Sequence, residues 1–122
     1  MHEQFAEWVT ELDASMKFSS LDAILVNDEL TYLTWKLPAK SKGKRLLTFS
    51  NPRGLQPLLY RLSKNTPIFI DSNLGHGLRG EVYGKELFEL GFTELYLATG
   101  YEADQFLPMH WIKGVLSKDF PF

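Results

Sequence analysis

The residues of this 122-residue chain that could do chemistry stand immediately after its short apolar runs. Asn27-Asp28-Glu29 follows the first run, Asp71-Ser72-Asn73 the third, Thr99 the fourth and Ser117-Lys118 the fifth. Carboxylates brought near one another suit a hard cation, foremost Mg2+, which takes a few carboxylates and keeps several waters. A threonine hydroxyl and a lysine ammonium beside them could hold the oxygens of a transferred phosphoryl group. A carboxylate in that setting can itself be the nucleophile, giving an aspartyl phosphate. Each residue alone has a plainer role. Asp71 could cap the turn after a strand, Thr99 could satisfy a backbone group, and Lys118 could be a solvated lysine. Their common register, each just past an apolar run, favours the joint reading.

The elements that must position them follow from the runs. Ala23–Val26, Leu46–Phe49, Ile68–Ile70 and Leu95–Ala98 are continuously apolar, and Ile112–Leu116 is a fifth run interrupted by Lys113 and Gly114. Continuous runs, as opposed to alternation, predict strands covered on both faces, as in parallel sheets. Helices are expected between them: over 29–37, cut short by Pro38; over 52–63, with Asn51 as N-cap and Pro52 in the first turn; and over 80–90, ending at Gly91. From Tyr101 to Phe106 there is room for one or two turns before Pro108. Alternating strands and helices predict an α/β fold, a doubly wound parallel sheet with right-handed crossovers. Ligands in such sheets bind at the carboxyl ends of the strands, which is where the polar clusters fall. Ahead of all this, Phe5, Trp8, Val9, Leu12 and Met16 form one apolar stripe on a helix over 3–16.

Composition narrows the partners. Thirteen basic and 15 acidic residues give a net charge of −2 and are interspersed, leaving no basic footprint for nucleic acid or an anionic membrane. Cysteine is absent, which excludes disulfides, zinc thiolates and thiol catalysis. No apolar run approaches the roughly 20 residues that span a bilayer, and Met1–Glu11 lacks the pattern of a signal peptide. A cytoplasmic location is the expectation. His2, His76 and His110 lie far apart, without metal-ligand spacing.

An acidic cluster after strand one, Asp after strand three, Thr after strand four and Lys after strand five together resemble the receiver domain of bacterial two-component signalling. The resemblance covers residues 21–122, with 1–20 as a preceding helix and connector. More narrowly, Ile70-Asp71-Ser72-Asn73-Leu74-Gly75 and Ala98-Thr99-Gly100-Tyr101-Glu102 look like receiver-like segments at the C-termini of some sensor histidine kinases. It implies a flavodoxin-like five-stranded sheet of order 2-1-3-4-5. It implies Asp71 as phosphoacceptor, Mg2+ held by Asp28, Asp71 and the backbone carbonyl of Asn73, and Thr99 and Lys118 at the phosphoryl group. The implied partner is a histidine kinase or phosphotransfer protein, with output through protein contact.

The chain departs from the family at several positions. Asn27 stands where a second acidic residue is usual, Gly75 where proline is frequent, Asp119 where proline follows the lysine, and Val115 where an aromatic switch residue is common. No fifth helix is expected before Phe122, and the 3–16 helix is expected to fill that place on the sheet. Its alternative use is as a signalling helix of an upstream kinase module or a homodimer contact. These departures keep open a degenerate receiver that binds partners without phosphorylation. A small phosphatase with Asp71 as nucleophile is a third reading, but such enzymes want an acid two residues on, where this chain has Asn73.

Overall fold

The computed structural model describes residues 21–122 except 28, 102–104 and 107; the expected helix over 3–16, its place on the sheet and Asp28 lie outside the described residues. The apolar runs form β1 (Ala23–Val26), β2 (Leu46–Phe49), β3 (Ile68–Ile70), β4 (Leu95–Ala98) and β5 (Gly114–Leu116). All pair in parallel, in the order β2-β1-β3-β4-β5. The parallel α/β sheet is the one the runs predict, and its flavodoxin-like order is the one the resemblance implies. β5 is shorter than the run from Ile112 and only half-buried, and it lies at one edge of the sheet with no strand beyond it among the described residues.

Side chains alternate across the sheet, so each strand feeds two cores. Ile24, Val26, Leu47, Phe49, Ile68, Ile70, Leu95 and Leu97 face one way. They meet α2 (Pro52–Leu55), the 3-10 helix that continues it (Gln56–Arg61) and α3 (Gly80–Glu89). Ala23, Leu25, Leu46, Phe69 and Ala98 face the other way, against Trp35 and Ala39 of α1 (Glu29–Ser41). On that second face Phe120 and Phe122 also pack, edge-on to Trp35 and to Phe69 respectively. The C-terminal residues thus take up part of the face that the 3–16 helix is expected to cover.

Two helices differ from expectation, both at proline. α1 does not stop at Leu37 but runs through Pro38 to Ser41. A proline inside a helix forfeits a hydrogen bond and costs ~3 kcal/mol. Here the continuation buries Ala39 on the same face as Trp35. The helix then closes at Gly43, whose φ of +69° is the left-handed conformation glycine adopts readily. α2 begins as expected, with Asn51 Oδ1 accepting from the Arg53 N–H at 2.9 Å. It lasts four residues and then tightens to a 3-10 helix. Pro57 has no N–H for the next α-type bond, which removes the support for continuing. α3 is as expected, with Gly91 (φ +105°) just beyond its end.

Tyr83 of α3 packs into the first core and its hydroxyl donates to Gln56 Oε1 at 3.4 Å. Burial pushes its phenol well above the ordinary tyrosine value, and the neighbouring Glu86 adds to the effect. A folded value raised above the unfolded one means stability is fully present below about pH 10 and is lost as pH rises beyond it. Urea denaturation is expected to show a smaller loss between about pH 9 and about pH 11 in Tyr83→Phe than in the parent, by at most about 1.4 kcal/mol per pH unit. No described helix is long and apolar enough to cross a membrane.

Candidate functional site

The sheet delivers its polar residues to one edge because parallel strands all end on the same side. Asn27, just past β1, continues the ladder by donating its N–H to Phe49 O at 3.0 Å, and its side-chain Nδ2 donates to Ala98 O at 3.3 Å. Asp71, just past β3, is likewise fixed by its N–H to Val26 O at 2.9 Å. Thr99 is held by its N–H to Leu116 O at 2.9 Å. The backbone ladder thus runs one residue beyond the named strands and aims each side chain.

The Asp71 carboxylate is 9% exposed and both of its oxygens are engaged. Oδ2 lies 3.3 Å from Lys118 Nζ. Oδ1 accepts the Asn73 N–H at 3.3 Å, the turn-capping bond that is the plainer role for an aspartate here. Asp71 therefore caps its own loop and pairs with a cation 47 positions away. The side chain of Lys118 is 36% exposed. Its backbone carbonyl accepts the indole N–H of Trp35 at 2.7 Å. Trp35 is thus the buried post that fixes where the β5 end can carry its lysine.

After Asp71 the chain makes a narrow excursion. Asn73 Oδ1 accepts the Gly75 N–H at 3.0 Å, and Asn73 bridges to Arg79 in antiparallel fashion. At the tip Gly75, His76 and Gly77 all have positive φ, with His76 exposed. The excursion returns through the Gly80 N–H, which donates to Ser72 O at 2.9 Å and starts α3.

These elements enclose a cleft of about 710 Å³ lined by Asn27, Asp71, Asn73, Thr99, Tyr101 and Lys118 among others. Asp71, Asn73, Thr99 and Lys118 are brought together, as their spacing predicts. Asp28 lies outside the described residues. Thr99 lines the cleft, yet its hydroxyl is engaged sideways, 3.0 Å from Ser72 Oγ and accepting the Tyr101 N–H at 3.2 Å. Among three further aromatic residues, Trp35 is fully buried, Trp111 is half-buried and Tyr101 is exposed.

Two residues of the site have roles that sequence reasoning does not reach. Trp35 reads as a core residue, and nothing in a sequence pairs its N–H with a carbonyl 83 positions away. Ser72 reads as part of a turn; its one signal is adjacency to Asp71.

A Mg2+ ion asks for one or two carboxylates supplemented by carbonyl and water oxygens. Among the described residues no three His, Asp or Glu side chains gather to hold a metal. Asp71 supplies one carboxylate at the cleft, and Asn73 beside it has a backbone carbonyl. That donor set fits the lower end of the requirement. Chemically, the arrangement offers a nearly buried carboxylate with a cation on one oxygen and the Thr99 hydroxyl lining the same open cleft. Compared with known proteins, the chain matches no family model and no curated protein.

Proposed function

We propose that this domain is a phosphoryl acceptor of the two-component type, taking the group onto Asp71 from a phosphohistidine of a histidine kinase or phosphotransfer protein. The observation that carries the reading is the pairing of Asp71 Oδ2 with Lys118 Nζ at 3.3 Å, across 47 residues, at the carboxyl edge of a parallel sheet. In the reaction an Asp71 oxygen attacks phosphorus, a P–O bond forms and the P–N bond to the imidazole breaks. The imidazole nitrogen leaves with the bond's electron pair. Lys118 neutralises the growing charge on the phosphoryl oxygens, and Thr99 offers a hydroxyl to them. Mg2+, held by Asp71, the Asn73 carbonyl and Asp28, would supply further neutralisation of the phosphoryl oxygens. Output then passes through protein contact at surfaces next to the cleft.

A second reading, a receiver-like module that binds partners without phosphorylation, is favoured by Asn27. An amide stands where a second carboxylate would strengthen the metal site, and it is engaged with Ala98 O.

One experiment separates the two. The chain is incubated with Mg2+ and a small acyl-phosphate donor, and its intact mass is recorded. The expected result is a gain of one phosphoryl group in the parent, removed by hydroxylamine, and no gain in Asp71→Asn. Lys118→Ala is expected to slow the gain roughly a hundredfold. A parent chain that stays unmodified transfers the case to the phosphorylation-independent module.

A further inference from the structure

Ser72 follows the proposed acceptor directly, but its side chain turns inward and the residue is 1% exposed. Its Oγ lies 3.0 Å from Thr99 Oγ1, and Thr99 is 2% exposed. Thr99 Oγ1 also accepts the Tyr101 N–H at 3.2 Å. A hydroxyl has two lone pairs and one proton. With one lone pair of Thr99 taken by the Tyr101 amide, the other can accept the Ser72 proton, which leaves the Thr99 proton for a third group. In the reverse arrangement Thr99 spends its proton on Ser72. Of the two residues, Thr99 lines the cleft and Ser72 does not. An anion in the cleft therefore selects the first arrangement.

We propose that Ser72 is a positioning residue, whose hydroxyl donates to Thr99 and thereby turns the Thr99 hydroxyl into a donor toward oxyanions held at Asp71. Ser72 itself never touches the phosphoryl group. It fixes the side-chain rotamer of Thr99, and its donation polarises the Thr99 O–H, since linked hydrogen bonds strengthen one another. The inference rests on the phosphoacceptor reading of Asp71, and it explains why a buried hydroxyl faces another hydroxyl beside that carboxylate.

The test is a double-mutant cycle between Ser72→Ala and Thr99→Val. Two quantities are measured: the rate of Asp71 phosphorylation by a small donor, and the affinity for inorganic phosphate followed through the Tyr101 amide resonance. Ser72→Ala is expected to lower both about three- to tenfold in the parent. It is expected to change neither further once Thr99 is valine. A purely structural role for Ser72 would give equal losses in both backgrounds, and that result overturns the proposal, as does an unchanged Ser72→Ala. Where alanine prevents folding, Ser72→Cys, with its weaker donor, is expected to show the same pattern. If the parent takes no phosphoryl group, the phosphoacceptor reading fails and the phosphate titration alone decides the role of Ser72. A parent that binds no phosphate overturns that role too.

Discussion

Replacing Trp35 by alanine is expected to cost about 3–5 kcal/mol of stability, the range for deleting a fully buried large aromatic, read as a lower urea midpoint at unchanged slope. Trp35 is 0% exposed and meets Phe69 and Phe120 edge-on with centroids 5.5 and 5.6 Å away. Alanine opens a cavity between α1 and the sheet and removes the surface on which Phe120 rests. Trp35→Phe separates packing from positioning. It keeps an aromatic ring but deletes the N–H that reaches Lys118 O at 2.7 Å. The lost bond is expected to cost about 1–3 kcal/mol, and the loosened Lys118 to slow the proposed phosphoryl acceptance by Asp71 more than a stability change of that size explains. A phenylalanine variant with unchanged phosphorylation kinetics would show that the indole only packs.

Gly80→Ala carries the second large effect. A Cβ at Gly80 would stand 2.0 Å from Asp71 O and 2.8 Å from Asp71 C, both backbone atoms that no rotamer change can move aside. The glycine also donates its N–H to Ser72 O, so the start of α3 and the Asp71 turn are pressed together at this point. We expect a loss of about 3 kcal/mol or more, at the upper end for overpacking, together with loss of the proposed phosphoryl acceptance, because the clash falls on the backbone of Asp71 itself. Gly100→Ala is the control. Among the described residues no atom lies within 4 Å of a Cβ there, and thermal unfolding should move within the scatter of a surface substitution, about 0.5 kcal/mol. Equal melting of the two variants would refute the close-approach argument.

Much of the fold was legible because its strands are covered on both faces, and burial of that kind leaves unbroken apolar runs. Ile68–Ile70 is the clearest case, bounded at once by Asp71. The convergence of Asp71, Thr99 and Lys118 was legible for the same reason, since parallel strands deposit their following residues on one edge. Local signals mislead where tertiary contact outweighs them. Pro38 is an ordinary helix stop, but burial of Ala39 beyond it carries α1 onward. Pro57 ends the α-helical run of a segment whose Asn51 cap and Pro52 otherwise predict a longer helix. The Ser72–Thr99 and Trp35–Lys118 bonds were illegible in principle. Side-chain polar groups choose partners by position in space, and residues 27 and 83 apart carry no sequence mark of pairing.

The placement of Lys118 has a consequence for the order in which the molecule comes apart. The lysine shares one short stretch with Phe120 and Phe122, whose rings lie on the second face of the sheet beneath Lys42 and Lys44. Irregular segments held by a few half-exposed contacts open with less free energy than a central strand. Each sub-global opening of that aromatic flap withdraws the ammonium from Asp71 while β1, β3 and β4 stay paired. The proposed competence of the carboxylate is thereby tied to an opening smaller than global unfolding, and is expected to fade on warming before the global melt.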